Sequence, residues 1–174
     1  MPRPAPAPVP GSRADVTRPR ARHATPSTDA ALLDLLATIP DPEIPVITIT
    51  DLGIVRAATL DGTTARVAIT PTYSGCPATS LIALAVESRL RDAGLTPAIE
   101  TRLDPPWTTD WLTEAAHEKL RAYGIAPPTG ATRPRCPRCD SPATTEISRF
   151  GSTPCKAQWR CDACAEPFDH FKCH

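Results

Sequence analysis

Apolar residues recur with helical spacing at Leu32, Leu33, Leu35, Leu36 and Ile39, and Thr28 or Asp29 stands where an N-cap belongs. A short helix is predicted there, ending before Pro40-Asp41-Pro42, whose rings remove amide hydrogens that a helix needs. Beyond Glu43-Ile44-Pro45 the chain turns β-branched from Val46 to Thr50. Ile54 to Leu60 and Thr64 to Thr70 then flank Asp61-Gly62, a dipeptide suited to the positive backbone angles of a tight hairpin. Two antiparallel strands are expected. Helical period returns at Ile82, Ala85, Val86 and Leu90, and Gly94 is placed to end that helix. Pro97 to Leu103 reads as a third strand, and Trp111, Leu112, Ala115, Ala116, Leu120 and Tyr123 mark a last amphipathic helix ending at Gly124. The predicted order over 29–125 is α-β-β-α-β-α. This is an α+β domain in which a small mixed sheet packs on helices.

The flanks have different compositions. Residues 1–28 are rich in proline and arginine, and the opening Pro-Arg-Pro-Ala-Pro-Ala-Pro-Val-Pro places proline at every second position so that neither helix nor sheet propagates; a disordered tail is expected. Its arginines lack interleaved aromatics for base stacking, and its prolines oppose an amphipathic targeting helix. Residues 126–135, again rich in proline, glycine and threonine, read as a linker to a C-terminal segment over 136–174. Charge is balanced, with 19 basic and 19 acidic residues, so no global pull toward nucleic acid or membrane is expected. No apolar run approaches the roughly 20 residues of a membrane helix. A cytoplasmic protein with reduced thiols is the expectation.

Those thiols change the picture most. Cys136-Pro-Arg-Cys139 and Cys161-Asp-Ala-Cys164 are two Cys-x-x-Cys turns separated by enough chain for a β-hairpin to bring them together. This is the spacing of a zinc ribbon, in which four thiolates hold one ion that rivets a segment too short for a core of its own. Cys155, Cys173 and the terminal His174 lie outside the pairs. Two readings stay open for them: thiols buried as small apolar groups, or a second soft-ligand site for iron or an iron–sulfur cluster.

Cys76 lies in the loop Thr70-Pro-Thr-Tyr-Ser-Gly-Cys-Pro-Ala-Thr79, with Pro77 suited to the first turn of the following helix. At a helix start the dipole and free amides favour a thiolate, so Cys76 is expected to ionise readily, with an inert buried thiol as the alternative. Asp41 and Glu43 between prolines, and Asp51 before Leu52-Gly53, form an acidic group on loops; metal capture and plain turn formation both suit them. His117 falls on the polar face of the last helix and reads as solvated.

Asp41-Pro-Glu-Ile-Pro-Val, Asp51-Leu-Gly-Ile-Val and Thr70-Pro-Thr-Tyr-Ser-Gly-Cys-Pro together resemble the metal–sulfur cluster assembly domain family of iron–sulfur maturation factors. With Pro106-Trp-Thr-Thr-Asp-Trp111, Gly151-Ser-Thr-Pro-Cys-Lys156 and Pro167-Phe-Asp-His-Phe-Lys-Cys-His174 added, the chain is similar to the D-subunit family of the phenylacetyl-CoA epoxidase system. The resemblance covers about 29–174. It implies an accessory, non-enzymatic subunit that helps mature an iron or iron–sulfur centre, with the oxygenase or reductase components as partners. It also implies Cys76 as a transient ligand, aided by Asp41, Glu43 and Asp51, beside a zinc-stabilised docking ribbon. Consistent with that role, the chain does not carry two Glu-x-x-His motifs on long helices, as a di-iron bundle requires.

Two other classes compete. Nucleic-acid binding through the ribbon draws on Arg133, Arg135, Arg138, Arg149, Lys156 and Arg160, which Asp140, Glu146, Asp162, Glu166 and Asp169 largely balance. Thiol–disulfide exchange would use a single Cys-x-x-Cys pair, whereas two pairs at ribbon spacing point to a metal.

Overall fold

The computed structural model describes residues 25–172, so most of the Pro/Arg-rich tail, Cys173 and His174 lie outside the described residues. Helix α1 (Asp29–Leu36) is capped by Thr28, whose hydroxyl accepts from the Ala31 amide, and it buries Leu32, Leu35 and Leu36. Strands β1 (Val55–Asp61) and β2 (Thr64–Ile69) form the expected hairpin, with Gly62 at φ +58° in its turn. Helix α2 (Ala78–Asp92) crosses to β3 (Thr96–Thr101), which pairs parallel to β2, so the sheet order is β1-β2-β3. The mixed α+β class follows from this arrangement.

The stretch from Val46 to Thr50, β-branched in composition, forms turns with one isolated bridge between Pro40 and Thr48 rather than a strand. Local polar bonds account for this. The Asp51 carboxylate accepts from the Thr48 amide, and the Thr48 hydroxyl accepts from the Asp51 amide, closing a tight loop.

The conspicuous Asp51-Leu52-Gly53 segment is a socket for the tryptophan-containing loop. Gly53 has φ +65°, and a Cβ there would lie 2.5 Å from the Trp111 carbonyl oxygen, so no other residue fits without displacing the loop. Trp107 Nε1 donates to the Leu52 carbonyl at 2.8 Å, and the Thr113 amide donates to the Asp51 carbonyl at 3.0 Å. Trp111 sits in a short 3-10 turn (Thr109–Trp111) ahead of α3 (Glu114–Tyr123), so the last helix starts about one turn later than its apolar pattern suggested. Gly124, at φ +91°, ends α3.

Past α3 the chain enters a second sheet of order β4-β7-β6-β5, made of β4 (Ile125–Ala126), β5 (Thr144–Ser148), β6 (Lys156–Cys161) and β7 (Pro167–Phe171). The stretch read as a linker therefore begins inside a strand, since Ala126 pairs with His170. The two sheets also share buried residues: Cys155 and Phe171 belong to the same apolar cluster as Leu52, Ile54, Ala78 and Trp107. Phe171 meets Trp107 edge to face at 6.1 Å.

His170 is buried beside Trp159, and desolvation lowers its pKa to about 4 from 6.5. The folded chain holds it neutral while the unfolded chain protonates it first, so its contribution is complete above pH 6.5 and is lost as pH falls toward 4. A His170→Phe variant should lose less stability than the parent between pH 7 and pH 5, read from urea midpoints. Equal losses would show that His170 takes up its proton as readily in the fold as in the unfolded chain.

Candidate metal sites

The four ribbon thiols converge on one point. Their sulfurs all lie within 4.8 Å of one another, with Cys136 and Cys164 at 3.8 Å and Cys139 and Cys161 at 3.6 Å. A tetrahedral ion with bonds of about 2.3 Å needs sulfur–sulfur edges of about 3.8 Å, whereas a disulfide needs about 2.05 Å. The spacing is that of a metal centre. Two matching turns build it: Asp140 and Ala165, each following the second cysteine of its pair, take φ 59° and φ 63°. Their amides donate to the carbonyls of Cys136 and Cys161, both at 2.9 Å.

This folding back aims further amides at sulfur. The Cys164 amide is the main reason that Cys161 is drawn down to about 7, with the Ala163 amide adding to it. Cys139 is favoured as thiolate by the Ser141 amide, yet Cys161, burial and the other two sulfurs push it up to about 12. Four sulfurs this close do not all ionise without a cation among them. Around the rim Asp140 binds both Arg135 and Arg121, Arg138 faces Glu166, and Arg160 faces Asp162. Much of the ribbon's basic character is therefore spent on internal ion pairs.

The second constellation lies where the ribbon meets the helical domain. Cys76 precedes Pro77 at the head of α2, and its carbonyl accepts from the Thr79 hydroxyl. Contrary to the expectation of ready ionisation, its pKa is raised. Burial is the largest cause, with Glu43 and Asp41 adding to it, and the Ala78 amide at the helix start offsets only part. The helix end acts as expected, and desolvation outweighs it. Tyr73 and Ser74 are exposed, whereas Thr72 is buried.

Asp41 and Glu43 line the same small cavity as Cys76. Asp41 is 6% exposed, and its Oδ1 accepts from the amides of Glu43 and Ile44, fixing the loop between the prolines. Burial raises its pKa, and burial together with Asp41 raises that of Glu43. Asp51 is not brought to this cavity: its carboxylate binds Lys119 at 2.7 Å as well as the Thr48 amide, and the salt bridge and amide bond hold its pKa low against partial burial. It secures the loop on which α3 begins. His117 is half-buried on α3.

Cys155, grouped by sequence with Cys173 and His174, lines the Cys76 cavity, while those two residues lie outside the described residues. Its thiol lies 3.1 Å from the Thr153 hydroxyl and 3.7 Å from Glu43 Oε2, and burial pushes it up to about 11. Nothing local in the sequence signals this meeting.

Residues 124–172 match the model of the PaaD zinc beta ribbon domain, and residues 29–96 match that of the iron-sulfur cluster assembly protein family. An Escherichia coli (strain K12) protein, provisionally named as the D-subunit of a 1,2-phenylacetyl-CoA epoxidase, is 55% identical over 147 residues, covering 80% of this chain and 89% of that one. The chain belongs to the phenylacetyl-CoA epoxidase D-subunit family. A cluster assembly domain here precedes a ribbon with a metal-binding cysteine cluster. Among solved structures, a domain of unknown function from Bacillus anthracis matches with 24% identity and TM-score 0.45, covering 53% of this chain and 90% of its own. A Mycobacterium tuberculosis protein described as associated with Fe–S complex assembly and repair matches with 31% identity and TM-score 0.34, covering 67% of this chain and 98% of its own. No helix among the described residues is long and apolar enough to cross a membrane.

Proposed function

We propose that this chain is a non-enzymatic, cytoplasmic accessory subunit of a phenylacetyl-CoA ring-epoxidising system, and that it helps load an iron or iron–sulfur centre into an oxygenase or reductase partner. One observation carries the reading: a cysteine at a helix start shares a cavity of about 10 Å³ with two carboxylates. That volume suits one water or one ion and excludes an acyl-CoA. Thiolate and carboxylate together suit iron, which accepts both sulfur and oxygen ligands. The raised pKa of Cys76 fits a cargo role, because a thiol that keeps its proton until metal arrives also regains it on release.

Zinc is the ion assigned to the ribbon. Four thiolates at tetrahedral spacing are its usual structural set, and it brings no redox chemistry to a site that holds a fold. Cys136, Cys139, Cys161 and Cys164 would hold it, with backbone amides directed at Cys161, Cys139 and Cys164 steadying their charge.

A Cys76→Ser chain should keep its fold and ribbon metal, while partner subunits produced beside it should carry at least about tenfold less iron, in the range seen when a metal site loses a key group. Elemental analysis of the separated subunits reads this. Fully loaded partners would leave Cys76 a buried structural thiol.

A further inference from the structure

The loop joining β5 to β6 carries the most exposed large apolar side chain among the described residues. Phe150 is 66% exposed, and Ile147, three positions before it, is 57% exposed. The backbone beneath the ring is fixed. The Ser148 hydroxyl accepts from the Phe150 amide at 3.2 Å and donates to the Phe150 carbonyl at 2.8 Å, and the Gly151 amide donates to the Lys156 carbonyl at 2.8 Å. A Cβ on Gly151 would lie 3.2 Å from both Asp169 Oδ1 and Lys156 Cβ, so the turn sits close against β6 and β7. An apolar ring held in water by an ordered turn is organised in advance for contact.

Two cations accompany the ring. The Lys172 amine lies 4.5 Å from the Phe150 ring centroid and donates to the Arg149 carbonyl at 3.2 Å. Among the described residues neither Arg149 nor Lys172 pairs with a carboxylate, whereas Arg135, Arg138, Lys156 and Arg160 each do. Neither 147–154 nor 170–172 contains an acidic residue. The patch is apolar at its centre and carries uncompensated positive charge beside it.

We infer that Phe150, Arg149 and Lys172 form a docking surface for an acidic protein segment bearing an apolar side chain, on the acceptor component that receives the metal. The inference deepens the maturation reading and rests on it for the identity of the acceptor. Charge complementarity selects the occupant: carboxylates on the partner supply what both cations lack, and its apolar side chain covers the ring. A nucleic acid also offers anions, but its affinity grows with the number of free cations, and four of the ribbon's are tied into ion pairs. The position suits delivery. The Lys172 amide donates to the carbonyl of Cys155, which lines the Cys76 cavity, so an acceptor touching Lys172 is one hydrogen bond from that cavity's wall.

The oxygenase and reductase components, each titrated separately into the full chain with its ribbon ion in place, are the probes, and calorimetry reads affinity. The parent should bind at least one of them, more weakly as salt rises. Phe150→Ser should weaken that binding at least about tenfold, as loss of an interface anchor does. Arg149→Glu combined with Lys172→Glu should weaken it to a similar degree and remove most of the salt dependence. Leu84→Ser, at a comparably exposed apolar position on α2, should leave it unchanged. Undiminished affinity in Phe150→Ser with ribbon metal retained would overturn the surface, as would an equal loss in Leu84→Ser or a parent chain that binds neither component. If Phe150→Ser loses its ribbon ion, the charge-reversed variant decides: full affinity there sinks the proposal. A labelled single-stranded oligonucleotide held more tightly than either component, and released by Phe150→Ser, would assign the patch to nucleic acid and equally overturn it. Failure of the maturation reading looks different. The component would bind through Phe150, yet be fully loaded with iron when produced beside Cys76→Ser.

Discussion

Cys161→Ser is expected to release the ribbon ion and unfold residues 124–172, the largest effect of any single change. Structural thiolate sites contribute on the order of 10 kcal/mol or more to folding of small ribbons and fingers. The ribbon's own buried set is small, comprising Ala126, Ala157, Trp159 and Phe168 beside Cys136 and Cys161. So little apolar surface does not hold these short strands and their loops without the ion. The loss should also reach the helical domain, because Phe171 and Cys155 leave a core they share with Leu52 and Trp107. Circular dichroism and metal analysis of the variant read both parts. A folded ribbon with its full metal content would refute the four-thiol assignment.

Phe171→Ala is expected to destabilise the chain by about 3–5 kcal/mol, the usual range for removing a buried phenylalanine. Phe171 is 1% exposed and packs edge to face on Trp107, which in turn bonds to the Leu52 carbonyl. The residue thus links β7 to the Asp51-Leu52-Gly53 loop. In urea, Trp107 and Trp159 should report one transition in the parent and one shifted transition in the variant. Separate parent transitions for the two tryptophans would show that the sheets fold independently.

Much of this architecture was legible because its causes are local. Thr28 caps α1, Asp61-Gly62 turns the hairpin, Gly124 ends α3, and each Cys-x-x-Cys forms its own turn. What stayed hidden depends on contacts distant in sequence. No pattern around Cys155 shows that it meets Glu43, 112 positions away. Asp51 looked like a ligand candidate because a carboxylate in a loop carries no mark of its partners, which here include Lys119. The direction of the Cys76 shift differs from the expectation for a related reason: helix position is written in the sequence, whereas burial is not. The two-residue strand β4 is too short for periodicity to reveal.

These points share a physical origin in the seam between ribbon and helical domain, where apolar packing, two thiols and two carboxylates coincide. On the proposed reading, an ion in the ribbon would set the position of Cys155 at the Cys76 cavity. The most direct test of the central claim is transfer itself. The full chain is loaded anaerobically with isotopically labelled iron, freed of unbound metal, and mixed with iron-depleted oxygenase or reductase component, and label is counted in each protein after separation. Movement of label to one partner from the parent chain, and its absence with Cys76→Ser carrying an intact ribbon ion, is the predicted result. Label that stays on the parent chain, or that reaches the partner equally well from the Cys76→Ser preparation, would contradict it.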